Sequence, residues 1–506
     1  MHSLTLKVLS TNKHILSKSS FLKGLQCTKA LYLYKYHYNW KDPVSTDDQI
    51  KFSNGNNVGI LARQLFPDGI DASPKSHKDF KPSVALTKKL IKEGTDVIYE
   101  AAFNHNEVLA AMDILVKHNN KWKAYEVKSS TRISTVYIQD AALQYYIITQ
   151  SGIELEDINI ITINNQYVRE DFLDIQKLFN INSVLKDVLE MQPLIHSKII
   201  ELKEVLNLPF IPIKEIGEQC FSPYKCNFMG NCWKHIPKDS VFELSGISRE
   251  EQFALYNSGT KKIIDIQDIA SLKHAQQVHI QSVKEQQAVI NFEGLQHFFS
   301  TIKYPLYFMD FESSMPSIPS LSHTRPYENI PVQYSLHYKK SLKSKLIHYE
   351  YLAQAGGDPR KEFIENLLRD TECEGCILVY DKTFEIKILQ SLAKLFPEFD
   401  EKIKNRISRI KDLMEPFEKK HYYIHEMKGS HSIKNILPAM VPELSYDKLK
   451  INSGALAMVA FHSLHQAQDL FHIAETREAL LEYCKMDTYA MVKIFERLEE
   501  IITSNN

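Results

Sequence analysis

The run Val108-Leu-Ala-Ala-Met-Asp113-Ile-Leu-Val116-Lys-His-Asn119-Asn120-Lys-Trp122-Lys-Ala-Tyr125-Glu126-Val127-Lys128-Ser129 predicts two strands, Val108 to Val116 and Trp122 to Lys128, folded into a hairpin around Asn119-Asn120. Alternate residues of a strand share a face, so Glu126 and Lys128 project together, and Asp113 on the partner strand can face them. A strand over Val97 to Phe103 precedes the hairpin. A helix from Ser134 to Thr149, a strand from Ile158 to Ile163 and long helices to about Leu206 follow it. Strands interleaved with helices predict an α/β domain. Upstream, Ser17 caps a predicted helix that runs to about His37 and carries Cys27. The stretch from Lys41 to Lys81 is looser, with one short helical piece from Gly59 to Pro67.

A second α/β pattern begins at Tyr304. Its strands are Leu306 to Phe311, Val332 to Tyr338, Leu346 to Tyr351 and Ile377 to Tyr380, and a helix from about Thr476 to Ile502 ends it. Residues 240–302, polar and helical in pattern, read as a bridge. The expected organisation is therefore a first domain over 1–239, a helical linker over 240–302 and a second domain over 303–506. A chain of 506 residues exceeds what one core usually supports, which agrees with two domains.

Hydrophobic residues are 44% and charged residues 24%, which excludes a disordered, collagen-like or membrane-bundle protein. Lys plus Arg is 61 against 62 Asp plus Glu, so the chain is not a globally basic nucleic-acid binder, although a cleft can still be locally basic. Lys75, His77, Lys78, Lys81, Lys88, Lys89 and Lys92 form one basic stretch, and Lys339, Lys340, Lys343 and Lys345 beside Tyr338 form another. Phosphate backbones and solvated surfaces account for such stretches equally well. No apolar run is long enough to span a membrane, and the opening residues Met1 to Lys7 lack the signal-peptide pattern, so a cytoplasmic protein is expected.

The strand Tyr307-Phe308-Met309-Asp310-Phe311-Glu312 ends in two carboxylates on one face, costly among apolar neighbours unless a cation neutralises them. Asp381 and Glu385 open the helix after the strand at Ile377. Tyr483 and Asp487 stand four apart on a helix and so share a face. Four acids of this kind can hold two divalent ions about 4 Å apart, the arrangement for in-line phosphodiester hydrolysis. In the hairpin, Asp113 and Glu126 can hold one ion, while Lys128 steadies a nucleophilic water or the attacked phosphate.

Of seven cysteines, three fall at even spacing, Cys220-x5-Cys226-x5-Cys232. With Cys27 they make four thiolates, suited to a [4Fe–4S] cluster or a Cys-only zinc site. Joining Cys27 to the trio would staple the two ends of the first domain. Cys373 and Cys376 form a lone CxxC that reads as structural.

Asp113-x12-Glu126-x-Lys128 in a hairpin, followed by a helix carrying Gln144, resembles the PD-(D/E)XK nucleases of the RecB type. The flanking cysteines resemble its iron–sulfur branch, which includes the CRISPR-associated RecB-like exonucleases and the AddB nuclease. Over about residues 15–236 the resemblance implies a restriction-endonuclease-like fold. It implies Asp113 and Glu126 as metal ligands, Lys128 as catalytic and Gln144 as substrate-orienting, with Cys27, Cys220, Cys226 and Cys232 holding a [4Fe–4S] cluster. The family often places a metal-binding His after Gly-x3; here Gly59-x3 ends in Arg63, and Glu100 is the candidate substitute.

Asp310, Glu312, Tyr483 and Asp487 resemble, over about residues 303–500, the DEDD exonucleases of the tyrosine subtype. That implies an RNase H-like fold, with Glu385 as third acid and Mg²⁺ or Mn²⁺ as cofactor. Asp381 stands where that family commonly has Asn. Gly429 to Pro438, with Lys434, also looks family-typical. The order of the two parts is similar to a bacterial family that fuses a RecB-like iron–sulfur nuclease to this exonuclease-like domain. The implied function is a metal-dependent nuclease acting on DNA, at single-stranded or broken ends, for repair or defence. The alternatives are an RNA-processing exonuclease, or a first domain that only binds DNA.

Overall fold

Val97–His105 (β1), Val108–His118 (β2) and Lys121–Lys128 (β3) form an antiparallel meander. Leu155–Ile163 (β4) joins β3 in parallel, after a crossover through the helix Thr135–Gln150. In the computed structural model, which describes residues 15–75, 80–465 and 467–504, this sheet gains an edge strand, Phe179–Ser183 (β5), antiparallel to β4. The short strands Ile70–Asp71 and Leu16–Ser17 pair with β1 and β2, so the sheet has seven strands among the described residues. The sequence reading passed over β5 because its five residues are mostly exposed and carry no alternating pattern.

Helices Lys18–Gln26 (α1), Thr28–Tyr36 (α2), Lys81–Glu93 (α3), Thr135–Gln150 (α4) and Leu185–Leu206 (α5) pack with this sheet. Ser17 caps α1 as expected, accepting the Ser20 amide. The helix read from Ser17 to His37 is two helices. Cys27 sits between them in extended backbone, φ −161° and ψ 117°, which ends α1 and starts α2.

The second sheet consists of Leu306–Ser314 (β6), Ile330–Lys339 (β7), Leu346–Leu352 (β8), Cys376–Val379 (β9) and Ile410–Asp412 (β10). Its order is β8-β7-β6-β9-β10, with β6 in the centre. β6, β7 and β8 are antiparallel; β9 runs parallel to β6, and β10 parallel to β9. Among the helices of this part are His274–Glu285 (α6), Phe292–Ser300 (α7), Lys382–Leu395 (α8), Ile433–Met440 (α9), Gly454–Leu464 (α10) and Leu470–Thr503 (α11). The last lies across β6 and β7, where Phe495 meets Phe308 edge-on. Among the described residues, no helix is long and apolar enough to cross a membrane.

The chain divides into two units, 1–234 with 317–327, and 235–316 with 328–506. This differs from the expected organisation in two ways. Residues 240–302 are not a free-standing bridge, because they bury their own apolar cluster and join the second unit. Val241, Leu244, Ile263, Ile266, Ile280 and Val283 form that cluster. Leu295 and Phe298 of α7 enter the main core, and Val289–Ile290 pairs with Tyr422–Tyr423. The second difference is the loop between β6 and β7. Its residues 317–327 pack with the first unit, where Arg169 donates to Thr324 and Pro319 carbonyls and accepts from His323.

Gly429 fixes residues 240–302 to the rest of the second unit. Its backbone lies in the left-handed region at φ +74°, and a side chain there would strike the Glu243 carbonyl. Gly429→Ala should therefore cost about 1–3 kcal/mol, because strain and overlap add. A lowered thermal midpoint checks this; an unchanged one would show that this contact is dispensable.

Candidate functional site

Asp310 and Glu312 lie on the central strand β6, two residues apart and so on one face. The long helix α11 lies against that face and brings Tyr483 and Asp487. Carboxylate oxygens of Asp310, Glu312 and Asp487 all fall within 4.8 Å of one another. Glu385, in the first turn of α8, is buried, and its Oε2 has no hydrogen-bond partner. It is close enough for its charge to raise the Asp310 pKa.

Burial and mutual repulsion push these acids up. Burial, then Asp487, Glu312 and Glu385, lift Asp310 well above the carboxylate range. Burial and Asp487 lift Glu312 to about 8. Burial, with Asp381, Asp412 and Glu312 nearby, lifts Glu385 to about 8. Asp487 rises only to about 6, since hydrogen bonds from Tyr446 and Tyr483 and the charge of Lys434 oppose its burial. An orphaned carboxylate oxygen and clustered like charges are the donor set of a hard divalent cation, which removes the repulsion and supplies the missing partner.

The surroundings serve the same cluster. Tyr446 donates to Asp487 Oδ1 at 2.7 Å, and its ring centroid is 6.3 Å from that of Tyr483. Lys434 Nζ stands 5.9 Å and 6.0 Å from the two ring centroids, and donates to the Asn452 carbonyl at 3.0 Å. Gly454 opens α10 beside Glu312; a Cβ there would lie 3.6 Å from Glu312 Oε2. Asp381 caps α8 from left-handed backbone, φ 66°, and accepts the Thr383 amide. Asp412 braces that turn by accepting the Asp381, Lys382 and Met414 amides. The sequence reading missed Tyr446 and Asp412. Neither lies at a recognisable spacing, and folding alone brings them in.

The first unit arranges its charges differently. The register of β2 and β3 sets Ile114 opposite Tyr125, which carries Asp113 to the end of the ladder beside Glu126. There Asp113 Oδ2 accepts the Val127 amide at 2.6 Å. Burial and Glu126 raise Asp113 to about 8. Glu126 is buried too, yet it is held far below its usual value, because Lys128 at 2.6 Å and Lys18 at 2.8 Å outweigh burial. Gln144 donates to Glu126 Oε2 at 2.7 Å and to Asp140 at 3.2 Å, and Lys128 also meets Asp140 at 2.6 Å. Glu100 sits in left-handed backbone at φ 52°, where the β1–β2 register skips, and faces Arg63 at 3.4 Å. Arg63 also binds Asp71 at 2.7 Å. Asp113, Glu126, Lys128 and Gln144 thus come together as the sequence suggested, with Glu100 close enough for its charge to act on Asp113. Lys18 and Asp140, which no motif marks, complete the network.

The four cysteines of the first unit line one cavity, together with Ala30, Phe228 and Met229. Cys27 reaches it from the break between α1 and α2. Gln26 Nε2 binds the Gln219 and Tyr224 carbonyls, and Lys23 binds Asn227, so both ends of the unit are stitched at this point. No three cysteine sulfurs, among the described residues, lie within 4.8 Å of one another. Burial raises Cys226 to about 11, with Cys27 and Cys220 adding to it. Cys376 is buried at the start of β9 and accepts the Lys303 amide, whereas Cys373 is exposed.

The basic stretches fare unequally. Lys81, Lys88, Lys89 and Lys92 are exposed on α3, and Lys75 lies just upstream of it; His77 and Lys78 fall outside the described residues. Lys339 does not belong to an exposed patch, since it is buried and paired with Glu496 at 2.8 Å, and Tyr338 packs on Tyr307.

Residues 307–432 match a family model described as a domain of unknown function, DUF2779. No curated protein and no solved structure matches the chain. The matched stretch contains Asp310, Glu312, Asp381, Glu385 and Asp412; Lys434, Tyr446, Gly454, Tyr483 and Asp487 lie beyond its end.

The raised acids give a pH test. Glu312 and Glu385 hold protons in the folded chain that the unfolded chain releases near 4.5, and lose them only near 8. Without a divalent ion, stability should therefore fall as pH rises across that window. An ion displaces those protons, so the increase in melting temperature caused by Mn²⁺ should be larger at pH 8 than at pH 6. Glu312→Gln should reduce this dependence and leave the share that Glu385 contributes. A Mn²⁺ effect that ignores both pH and Glu312 would place the ion elsewhere.

Proposed function

We propose that the chain is a metal-dependent nuclease that hydrolyses phosphodiester bonds of DNA, with its main site in the second unit. The observation that carries this reading is the convergence of Asp310, Glu312 and Asp487, with Glu385 buried and one of its oxygens unpartnered. The sheet order β8-β7-β6-β9-β10, with carboxylates on the central strand, supports an RNase H-like, DEDDy exonuclease assignment. Mg²⁺ or Mn²⁺ held by these four residues would supply a polarised phosphate and an activated water. The chain's own groups do the rest. Tyr446 and Tyr483 fix the orientation of the Asp487 carboxylate, and Tyr483 orients the attacking water. Lys434, exposed beside both rings, is placed to meet a phosphate oxygen.

In the first unit, Asp113, Glu126, Lys128 and Gln144 on a β-hairpin and its following helix support a PD-(D/E)XK assignment. The four cysteines line one cavity, which supports a shared metal centre there, and we read it as a [4Fe–4S] cluster. A second reading of this unit is favoured by its ion pairs. Glu126 already holds two lysines and Arg63 engages Glu100, so the unit would serve as a DNA-binding module beside an active exonuclease.

End-labelled single-stranded oligonucleotides separate these readings. Asp310→Asn should abolish Mg²⁺- or Mn²⁺-dependent removal of 3′ nucleotides. Tyr483→Phe should slow it by about 10²–10⁴-fold, because an orienting or proton-transfer group is lost while the metal ligands stay. If Asp310→Asn retains full activity in a Lys128→Ala background, the second site is not the nuclease. Lys128→Ala alone should remove a separate activity if the first unit is catalytic, and change no cleavage product if it only binds.

The cysteine centre has its own test. Anaerobically purified protein should be brown with about four irons per chain, since four thiolates are the usual ligand set of such a cluster. Cys226→Ser should lose iron and lower the stability of the first unit. Colourless protein carrying one zinc would refute the cluster.

A further inference from the structure

Three tyrosines from distant parts of the sequence gather beside Lys128 and Ser129. Tyr137, in the first turn of α4, has Lys128 Nζ 5.2 Å from its ring centroid. Tyr224 comes from the five residues between Cys220 and Cys226, a loop closed by the Cys226 amide on the Cys220 carbonyl at 2.8 Å. Gln26 holds its backbone carbonyl at 2.6 Å, while its side chain, 56% exposed, hydrogen-bonds Tyr137. Tyr327 comes from the segment 317–327. It occupies left-handed backbone at φ 61°, and its hydroxyl is 3.0 Å from Ser129 Oγ, next to Lys128. Tyr137 is near enough to act on it electrostatically.

Ordinary core packing does not explain this placement. Core tyrosines bury their rings, whereas Tyr224 is exposed and Tyr137 and Tyr327 are half-buried. The cysteine loop brings Tyr224 to Tyr137 and within electrostatic reach of Lys128, and the 317–327 segment brings Tyr327 to Ser129, the next residue. Neutral hydroxyls donate to phosphate oxygens without reading base identity, and aromatic faces stack on unpaired bases.

We propose that Tyr137, Tyr224 and Tyr327 form a rim that binds a single-stranded polynucleotide at the first carboxylate site. The rim rests on the nucleic-acid reading of this unit, but not on whether the unit cleaves. Duplex bases are stacked and present no free face, so the rim selects single strands.

The test uses the full chain, without divalent metal, and a single-stranded DNA carrying 5-iodouracil. Irradiation should crosslink peptides containing Tyr137, Tyr224 or Tyr327, identified by mass spectrometry, and a matched duplex should give far less product. Tyr224→Ala with Tyr327→Ala should lose those crosslinks and weaken single-strand binding about ten-fold or more. The slope of affinity against salt should stay unchanged, because no charge is removed. Tyr224→Phe with Tyr327→Phe keeps the rings and the packing, and should fall between wild type and the alanine pair. Crosslinks confined to the second unit, or alanine variants that bind single strands as tightly as wild type, would overturn the rim. A wild type that crosslinks through these tyrosines but shows no cleavage dependent on Lys128 keeps the rim and refutes the catalytic reading of the first unit.

Discussion

Several carboxylates held close together repel one another, and that repulsion organises the centre of the second unit. Asp310 and Glu312 sit half-buried on the central strand, and α11 adds the buried Asp487 against them. Each neighbour can be understood as a response. Two tyrosine hydroxyls are spent on Asp487, a glycine opens α10 beside Glu312, and a lysine stands over the two tyrosine rings. Glu385 receives no such help and keeps an unpartnered oxygen. The fold leaves a deficit of positive charge that bound protons or a cation can offset.

The first unit meets a similar density of acids with the opposite solution. Lys18 and Lys128 lie against Glu126, Lys128 also against Asp140, and Arg63 against Glu100. Its charges are nearly balanced from within, at the desolvation cost of burying both signs. A ligand entering there must exchange partners rather than fill a deficit. The two sites therefore differ in how strongly they call for a cation, although the sequence presents both as pairs of acids on strands.

Much of the scaffold was legible in the sequence. The β2–β3 hairpin, β4, the four longer strands of the second sheet and the last helix carry clear periodicity, and their acids stand at spacings that put them on shared faces. What could not be read depends on contacts distant in sequence. Lys18, Tyr446 and Asp412 have no spacing to betray them, and β5 and β10 are too short to show alternation. Cys27 looked helical because its neighbours are helical, and no local spacing marks the extended backbone that separates α1 from α2 there. The supposed bridge over 240–302 misled because its buried residues are sparse, one or two per turn, and look polar in a simple count.

The path of the chain between the units has a consequence for synthesis. Residues 317–327 belong to the first unit, yet they follow β6, the central strand of the second. Domains usually fold as units from the N-terminus while the chain is still being made. Here the first unit stays incomplete until the ribosome has passed β6, so that strand emerges with both its flanking partners, β7 and β9, still unmade. The last piece of the first unit is thus made only after the central strand of the second, and before that strand has either neighbour.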